Sequence, residues 1–206
     1  MQTTATVPAP RRRVGVHDPI GRRADVLAAA RRLFATNGYA ETSIRAIAAE
    51  AQVNQALVIT YFGSKEALLL AVVARFSIGA EVRGAGIQDL GARLARLYME
   101  RWESMPPDDP WPALVRSAVS HELSRQLLRS ELQAQLTAPL GRVLGEDGDG
   151  PLRNAMVQCL LGGMIMERYI YRLEPASSLP AEAFEAALAA CLQHAISGLK
   201  SSEAQL

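Results

Sequence analysis

Three histidines, two cysteines and a scatter of carboxylates are the side chains here that could support acid–base, nucleophilic or metal chemistry. Their spacing assembles none of it. His121-Glu122 opens like the zinc-binding pair of a metalloprotease helix, but the second histidine is due four residues after the first, and Arg125 stands there. No Glu-x-x-His pair for a di-iron bundle, no glycine-rich phosphate loop behind a strand and no Gly-x-Ser-x-Gly elbow occurs. His17 lies in an irregular start, and His121 and His194 are read as surface or locally bonded residues. Cys159 and Cys191 fall in apolar helical patterns with no C-x-x-C arrangement, so they are read as small core residues in a reducing environment. Neither a catalytic centre, nor a metal, nor a cofactor is expected.

The chemistry that remains is ionic. Net charge is only +1, yet residues 1–65 hold nine Lys and Arg against four Asp and Glu, which leaves the rest of the chain net negative. A basic head on an acidic body suits a protein that binds a polyphosphate at one end. The elements that must position these charges follow from periodicity and punctuation. Residues 1–20, with an Arg11-Arg12-Arg13 run and no apolar period, read as a flexible basic arm. Val26, Leu27, Ala30, Leu33 and Phe34 then repeat at helical spacing, and Asn37-Gly38 supplies the left-handed residue that ends a helix. Thr42-Ser43 offers hydroxyl caps to a short second helix carrying Ile44, Ile47, Ala48 and Ala51. A third helix over 54–62 follows after only Gln52 and Val53. Gly63 breaks it, Ser64 caps the next, and Glu66 favours that helix's dipole. Two short amphipathic helices joined by a tight turn let the second lie in a DNA major groove while the first crosses the phosphate backbone.

At this point the chain resembles the TetR family of bacterial transcription regulators. The likeness is carried by LFATNGY closing the first helix, TSIRAIAAEA as the second, VNQALVITYF as turn and recognition helix, and YFGSKEALL leading onward, over about residues 20–75. What the resemblance implies is a set of DNA-facing positions. Arg45 would touch a base or phosphate, and Thr42 and Ser43 would offer hydroxyls to phosphate. Asn54, Gln55, Ala56 and Leu57 would face base edges, Gln55 being the best direct reader because its amide can pair with adenine. Thr60 joins that set, and Tyr61 and Lys65 match positions that grip the backbone. Phe62 matches a core residue. The chain departs from the pattern twice: Ile59 stands where many relatives carry Tyr, and Gln52 stands where the turn usually has Gly. If position 52 is left-handed, a non-glycine residue there costs about 1 to 2 kcal/mol.

The body reads as further helices over 64–82, 87–104, 111–120, 122–144 (bent at Pro139), 152–173 and 181–199, with the Pro106-Pro107-Asp108-Asp109-Pro110 run forbidding helix between the second and third. The fold class expected is all-α: an arm over 1–20, a helix-turn-helix head over 21–66, and a helical ligand-binding and dimerisation domain over 67–206. Family likeness implies that the last two long helices pair with those of a second copy, with Leu160, Gly163, Leu188 and Leu192 at the contact. Phe76, Tyr98, Trp102, Trp111, Met156, Met164 and Tyr169 are candidates to line a pocket between the body helices; ordinary core packing is the other reading of the same residues. The longest apolar stretches, 67–74 and 155–166, are too short or too interrupted to span a bilayer, and the start does not read as a signal peptide. These readings converge on a cytoplasmic, non-enzymatic regulator, expected to act as a repressor. Its partners would be double-stranded operator DNA, a second copy of itself, and a small apolar or amphipathic effector. The alternative is a helical ligand-binding or scaffolding protein whose head no longer binds DNA.

Overall fold

The computed structural model describes residues 19–73, 78–79, 82 and 86–198, and among these every regular element is helical. Residues 1–18 of the expected arm, and Phe76, lie outside the described residues.

The first helix, α1 (Pro19–Glu41), starts on a proline, whose fixed φ suits a first turn. It buries Val26, Ala29, Ala30 and Phe34 at three-to-four spacing. Gly38 interrupts it with φ 78° and ψ 172°, and one more turn then carries Tyr39 back into the core. Next come α2 (Ile44–Glu50), α3 (Gln55–Phe62) and α4 (Lys65–Val73). Each of these starts on a side-chain cap: Ser43 Oγ accepts from Ala46 N at 3.1 Å, Asn54 Oδ1 from Leu57 N at 2.7 Å, and Ser64 Oγ from Ala67 N at 3.1 Å.

The body holds α5 (Leu90–Glu103), α6 (Trp111–Ala118), α7 (Glu122–Leu132), α8 (Ala138–Leu144), α9 (Gly150–Met164) and α10 (Ala181–Ser197). A 3-10 turn, Ile87–Asp89, precedes α5. The pair α5 and α10 is the most extensive helix packing among the described residues. Gly91 makes it possible, since a Cβ there would lie 2.5 Å from the backbone nitrogen of Gln193. The Gln193 amide closes the same joint, accepting from Gly91 N at 3.0 Å and donating to Ile87 O at 2.9 Å.

Two expected long helices are interrupted. The 122–144 helix widens into a π-type turn over Gln133–Thr137 before the expected bend. Pro139 has no N–H to give the carbonyl four residues back, so the turn ahead of it opens. The helix expected over 152–173 begins earlier, at Gly150 with Pro151 in its first turn, and ends in a second π-type turn over Ile165–Ile170.

The core runs through head and body without a break, from Phe34, Ile47, Leu68 and Leu69 to Leu94, Met99, Leu114, Leu161 and Leu192. Expectations for several apolar residues are corrected here. Cys159 and Cys191 are exposed, so they are not core residues. Leu188 and Leu192, expected at the contact between copies, point into their own protomer and are buried. Helix α9 is apolar around most of its circumference, and sequence period alone could not tell which side turned inward.

Candidate nucleic-acid interface and internal cavity

The head places α3 across the end of α2, and the turn between them depends on one left-handed residue. Gln52 has φ 54°, the conformation that a glycine would adopt without strain. Its N–H is bonded to Ala49 O at 3.1 Å, and Val53 N reaches back to Ala48 O at 2.9 Å. Helix α3 buries only Val58 and half-buries Leu57, Tyr61 and Phe62. Its outward row is Gln55, Ala56, Ile59 and Thr60, spaced at i, i+1, i+4 and i+5, with Asn54 exposed just ahead of them. Thr60 Oγ1 donates to Ala56 O at 2.8 Å, which leaves its methyl as the contact surface. On α2 the exposed residues include Ser43, Arg45, Ala46 and Ala49.

Two residues expected to grip phosphate are occupied otherwise. Thr42 is buried, and its hydroxyl donates to Leu33 O at 3.1 Å and Gly38 O at 2.8 Å, tying the interrupted end of α1 together. Lys65 donates to Thr42 O at 2.7 Å and sits 4.2 Å from the centre of the Tyr39 ring. It neutralises the carbonyl end of α1, while burial pushes its ammonium below the ordinary lysine range. Tyr39 OH donates to Glu66 Oε1 at 2.6 Å. Burial first, and then that bond, hold the phenol well above its ordinary range, while the same bond holds the Glu66 carboxyl low. Sequence reasoning missed this Tyr39–Glu66–Lys65 clamp, although Tyr39 lies in the LFATNGY segment that carried the resemblance. Ile59, where the resemblance leads one to expect Tyr, is 45% exposed on the outer row of α3, which makes it a candidate contact for a thymine methyl.

The body contains a cavity of about 200 Å³, walled among others by Tyr98, Trp102, Trp111, Leu136, Leu161 and Ile165. Three of the expected lining residues, Tyr98, Trp102 and Trp111, are therefore brought together. Met164 and Tyr169 sit beside the cavity instead. Met164 is buried in the core, and Tyr169 stacks on Trp102 at 5.2 Å while donating to Glu103 Oε1 at 2.9 Å. Met156 lies on the outer surface of α9 and is corrected as a lining residue.

From the cavity wall a chain of charges reaches the head. Arg101 donates to Asp109 Oδ2 at 2.7 Å, and Asp109 Oδ1 accepts from Trp111 N at 2.9 Å, so one carboxylate holds two lining residues. Arg31 of α1 lies 3.9 Å from Asp109 Oδ2 and 3.4 Å from Asp108 Oδ2. A ring contact between Tyr39 and His121 at 6.3 Å joins head and body a second time.

Comparison with known proteins agrees with this architecture. Residues 26–72 match the bacterial regulatory proteins of the tetR family, and residues 88–196 match the tetracyclin repressor-like C-terminal domain. The chain belongs to the TetR family. An HTH-type transcriptional repressor of Mycobacterium tuberculosis is 42% identical over 82 residues, 38% of this chain and 36% of the relative. The match thus spans little more than a third of that curated relative's length. Across nearly the whole fold, a TetR-family regulator from Streptomyces coelicolor has 29% identity and a TM-score of 0.62, covering 89% of this chain and 99% of its own. A multidrug binding protein solved with proflavin shares the fold at 21% identity and a TM-score of 0.56, covering 85% of this chain and 99% of its own. Within this TetR-family fold no single helix among the described residues is long and apolar enough to cross a membrane.

Proposed function

We propose that this TetR-family protein is a cytoplasmic transcription regulator, acting as a repressor, that binds near-palindromic operator DNA as a homodimer and releases it when a small apolar or amphipathic molecule fills the body cavity. The observation that carries the reading is the outward row of α3. A short helix anchored by Val58 alone among its fully buried residues, with Gln55, Ile59 and the Thr60 methyl turned to solvent beside the exposed Arg45, is shaped to read a major groove. Thr42 and Lys65 enter only as residues that hold this helix in place. Phosphate contacts fall instead to Ser43, Asn54 and Tyr61, and to basic residues at the start of α1 such as Arg22.

Dimerisation is supported by a second surface. Met156, Cys159 and Gly163 on α9, and Ala183, Ala187, Ala190 and Cys191 on α10, are exposed at helical spacing on two adjacent, packed helices. Apart from the local backbone of α9 itself, no atom of the described residues lies within 4 Å of where a Cβ on Gly162 or Gly163 would sit, so this small-residue surface has room for another helix to approach. Leu160, half-buried, would border the contact. Release would be transmitted by the carboxylate of Asp109. A ligand that shifts Arg101 or Trp111 shifts the partner they share with Arg31 on α1, and the ligand need only bind the shifted state more tightly.

The deciding experiment is fluorescence anisotropy of the full chain with DNA flanking its own gene, at several salt concentrations. The proposal requires preferred binding to a near-palindromic segment, with affinity falling steeply as salt rises. Equal weak binding to every duplex would reduce the chain to a helical ligand-binding protein with an inactive head.

A further inference from the structure

Helix α3 turns carbon outward at the place where a helix-turn-helix meets base edges. Ile59 is 45% exposed, and Ala56 and Thr60 are exposed beside it. The Thr60 hydroxyl gives its proton to Ala56 O at 2.8 Å, which turns the residue's use from hydrogen bonding toward its methyl. Residues three and four apart share one helix face, so Ala56 neighbours both Ile59 and Thr60 and the three form one apolar patch. In the outward row only Gln55 ends in an amide. The patch does nothing for the protomer's own core, which α3 reaches through Val58. A single exposed apolar residue is ordinary on a protein surface, whereas a contiguous group points to a contact.

The surroundings identify the other side of that contact. Arg22 on α1 and Arg45 on α2 are exposed, and both helices pack against α3. An apolar centre with cations on the flanking elements fits duplex DNA, where the groove floor carries the bases and its walls carry phosphate. In the major groove thymine presents a methyl at C5, and the other bases present none. Length sets how many are met. Ala56 and Thr60 lie about 6 Å apart along the helix axis, at about 1.5 Å per residue, and base pairs stack about 3.4 Å apart, so the patch covers about two steps. We infer that this protein selects its operator through the 5-methyl groups of thymines at two adjacent base pairs of each half-site, packed against Ala56, Ile59 and the Thr60 methyl. Ile59 and Thr60 are then specificity-determining residues that act by van der Waals contact. This rests on the reading of α3 as the helix that enters the groove.

The test enriches a random-sequence duplex pool on the full chain and resynthesises the consensus duplex with single thymines of one half-site replaced by deoxyuridine, which lacks the methyl and keeps every hydrogen-bonding group. Binding is followed by fluorescence anisotropy. The enriched half-site should hold thymines at two adjacent base pairs, and removing either methyl should weaken binding about fourfold, the worth of one buried methyl. With cytosine at one of these positions, adding its own 5-methyl group should regain about the same factor. Two replacements at Thr60 separate its groups: Thr60→Ser keeps the hydroxyl and loses the methyl, and Thr60→Val does the reverse, with circular dichroism to verify each fold. Thr60→Ser and Ile59→Ala should each bring the response to deoxyuridine under about twofold at one of the two positions, while Thr60→Val retains the full response. Operator affinity unmoved by deoxyuridine in the natural chain would overturn the inference, and so would a response that survives in both Thr60→Ser and Ile59→Ala. Loss of the response in Thr60→Val but not in Thr60→Ser would overturn it in favour of reading by the hydroxyl. Each of these results leaves sequence-specific DNA binding standing. If the pool yields no preferred sequence and all duplexes bind alike, the reading of α3 falls and this inference falls with it.

Discussion

At the scale of single residues, the proposed function divides the head into side chains that would read DNA and side chains that hold the readers. Arg45 and Gln55 are exposed and well placed to bond base edges, so Arg45→Ala and Gln55→Ala should each erode discrimination between operator and altered operator by about 1 to 3 kcal/mol per half-site. Competition anisotropy would show it, and equal loss on all sequences would contradict the assignment. Glu66 belongs to the second group. Its carboxyl is held below its ordinary range chiefly by the Tyr39 hydroxyl, so its contribution to stability is present above the ordinary carboxylate range and is lost as pH falls through the lowered value. Acid unfolding followed by circular dichroism should therefore set in at higher pH for Tyr39→Phe than for the natural chain. Glu66→Gln should show a weaker dependence on pH in the same range.

At the scale of elements, the proposed release of DNA runs through the place where α1, α5 and α6 meet. The Pro-rich break between α5 and α6 delivers Asp108 and Asp109 to Arg31 on α1, and Asp109 simultaneously fastens Arg101 and the start of α6. Asp109→Asn keeps an acceptor for Trp111 N but removes the charge that both arginines share. The expected outcome is a protein that still binds operator and still binds an effector probe, with the operator affinities measured with and without that probe drawn together. Anisotropy titrations with and without 2-naphthol, a small amphipathic probe, measure this ratio. An unchanged ratio would show that the signal travels by another route, such as the Tyr39–His121 contact.

At the scale of the whole molecule, a dimer must set two α3 helices about one turn of DNA apart, roughly 34 to 36 Å. Sedimentation at micromolar concentration should give a dimer, and Ala187→Glu or Gly163→Glu should give a folded monomer with much weakened operator binding, because both lie on the exposed side of their helices. By contrast Leu192→Ala, which opens a void inside one protomer, should lower stability by about 2 to 5 kcal/mol, as read from denaturant unfolding.

Much of this was legible in the sequence because it is written locally. Caps at Ser43 and Ser64, breaks at Gly38 and Gly63, and the spacing of Val26, Ala30 and Phe34 act within a turn or two of helix, so they define the helix-turn-helix wherever the rest of the chain lies. The resemblance left open whether Gln52 is left-handed, and the structure decides it at φ 54°. What the tertiary structure alone decided is the partner of each side chain across long separations. Lys65 and Thr42 look like phosphate ligands until the end of α1 is folded against them. Leu188 and Cys191 look alike as apolar residues of one helix until α5 packs on it and turns one inward and the other out. An apolar helix carries no mark of which side will meet its own protomer, because burial is a property of the assembled surface and the sequence period records only that some surface will be buried.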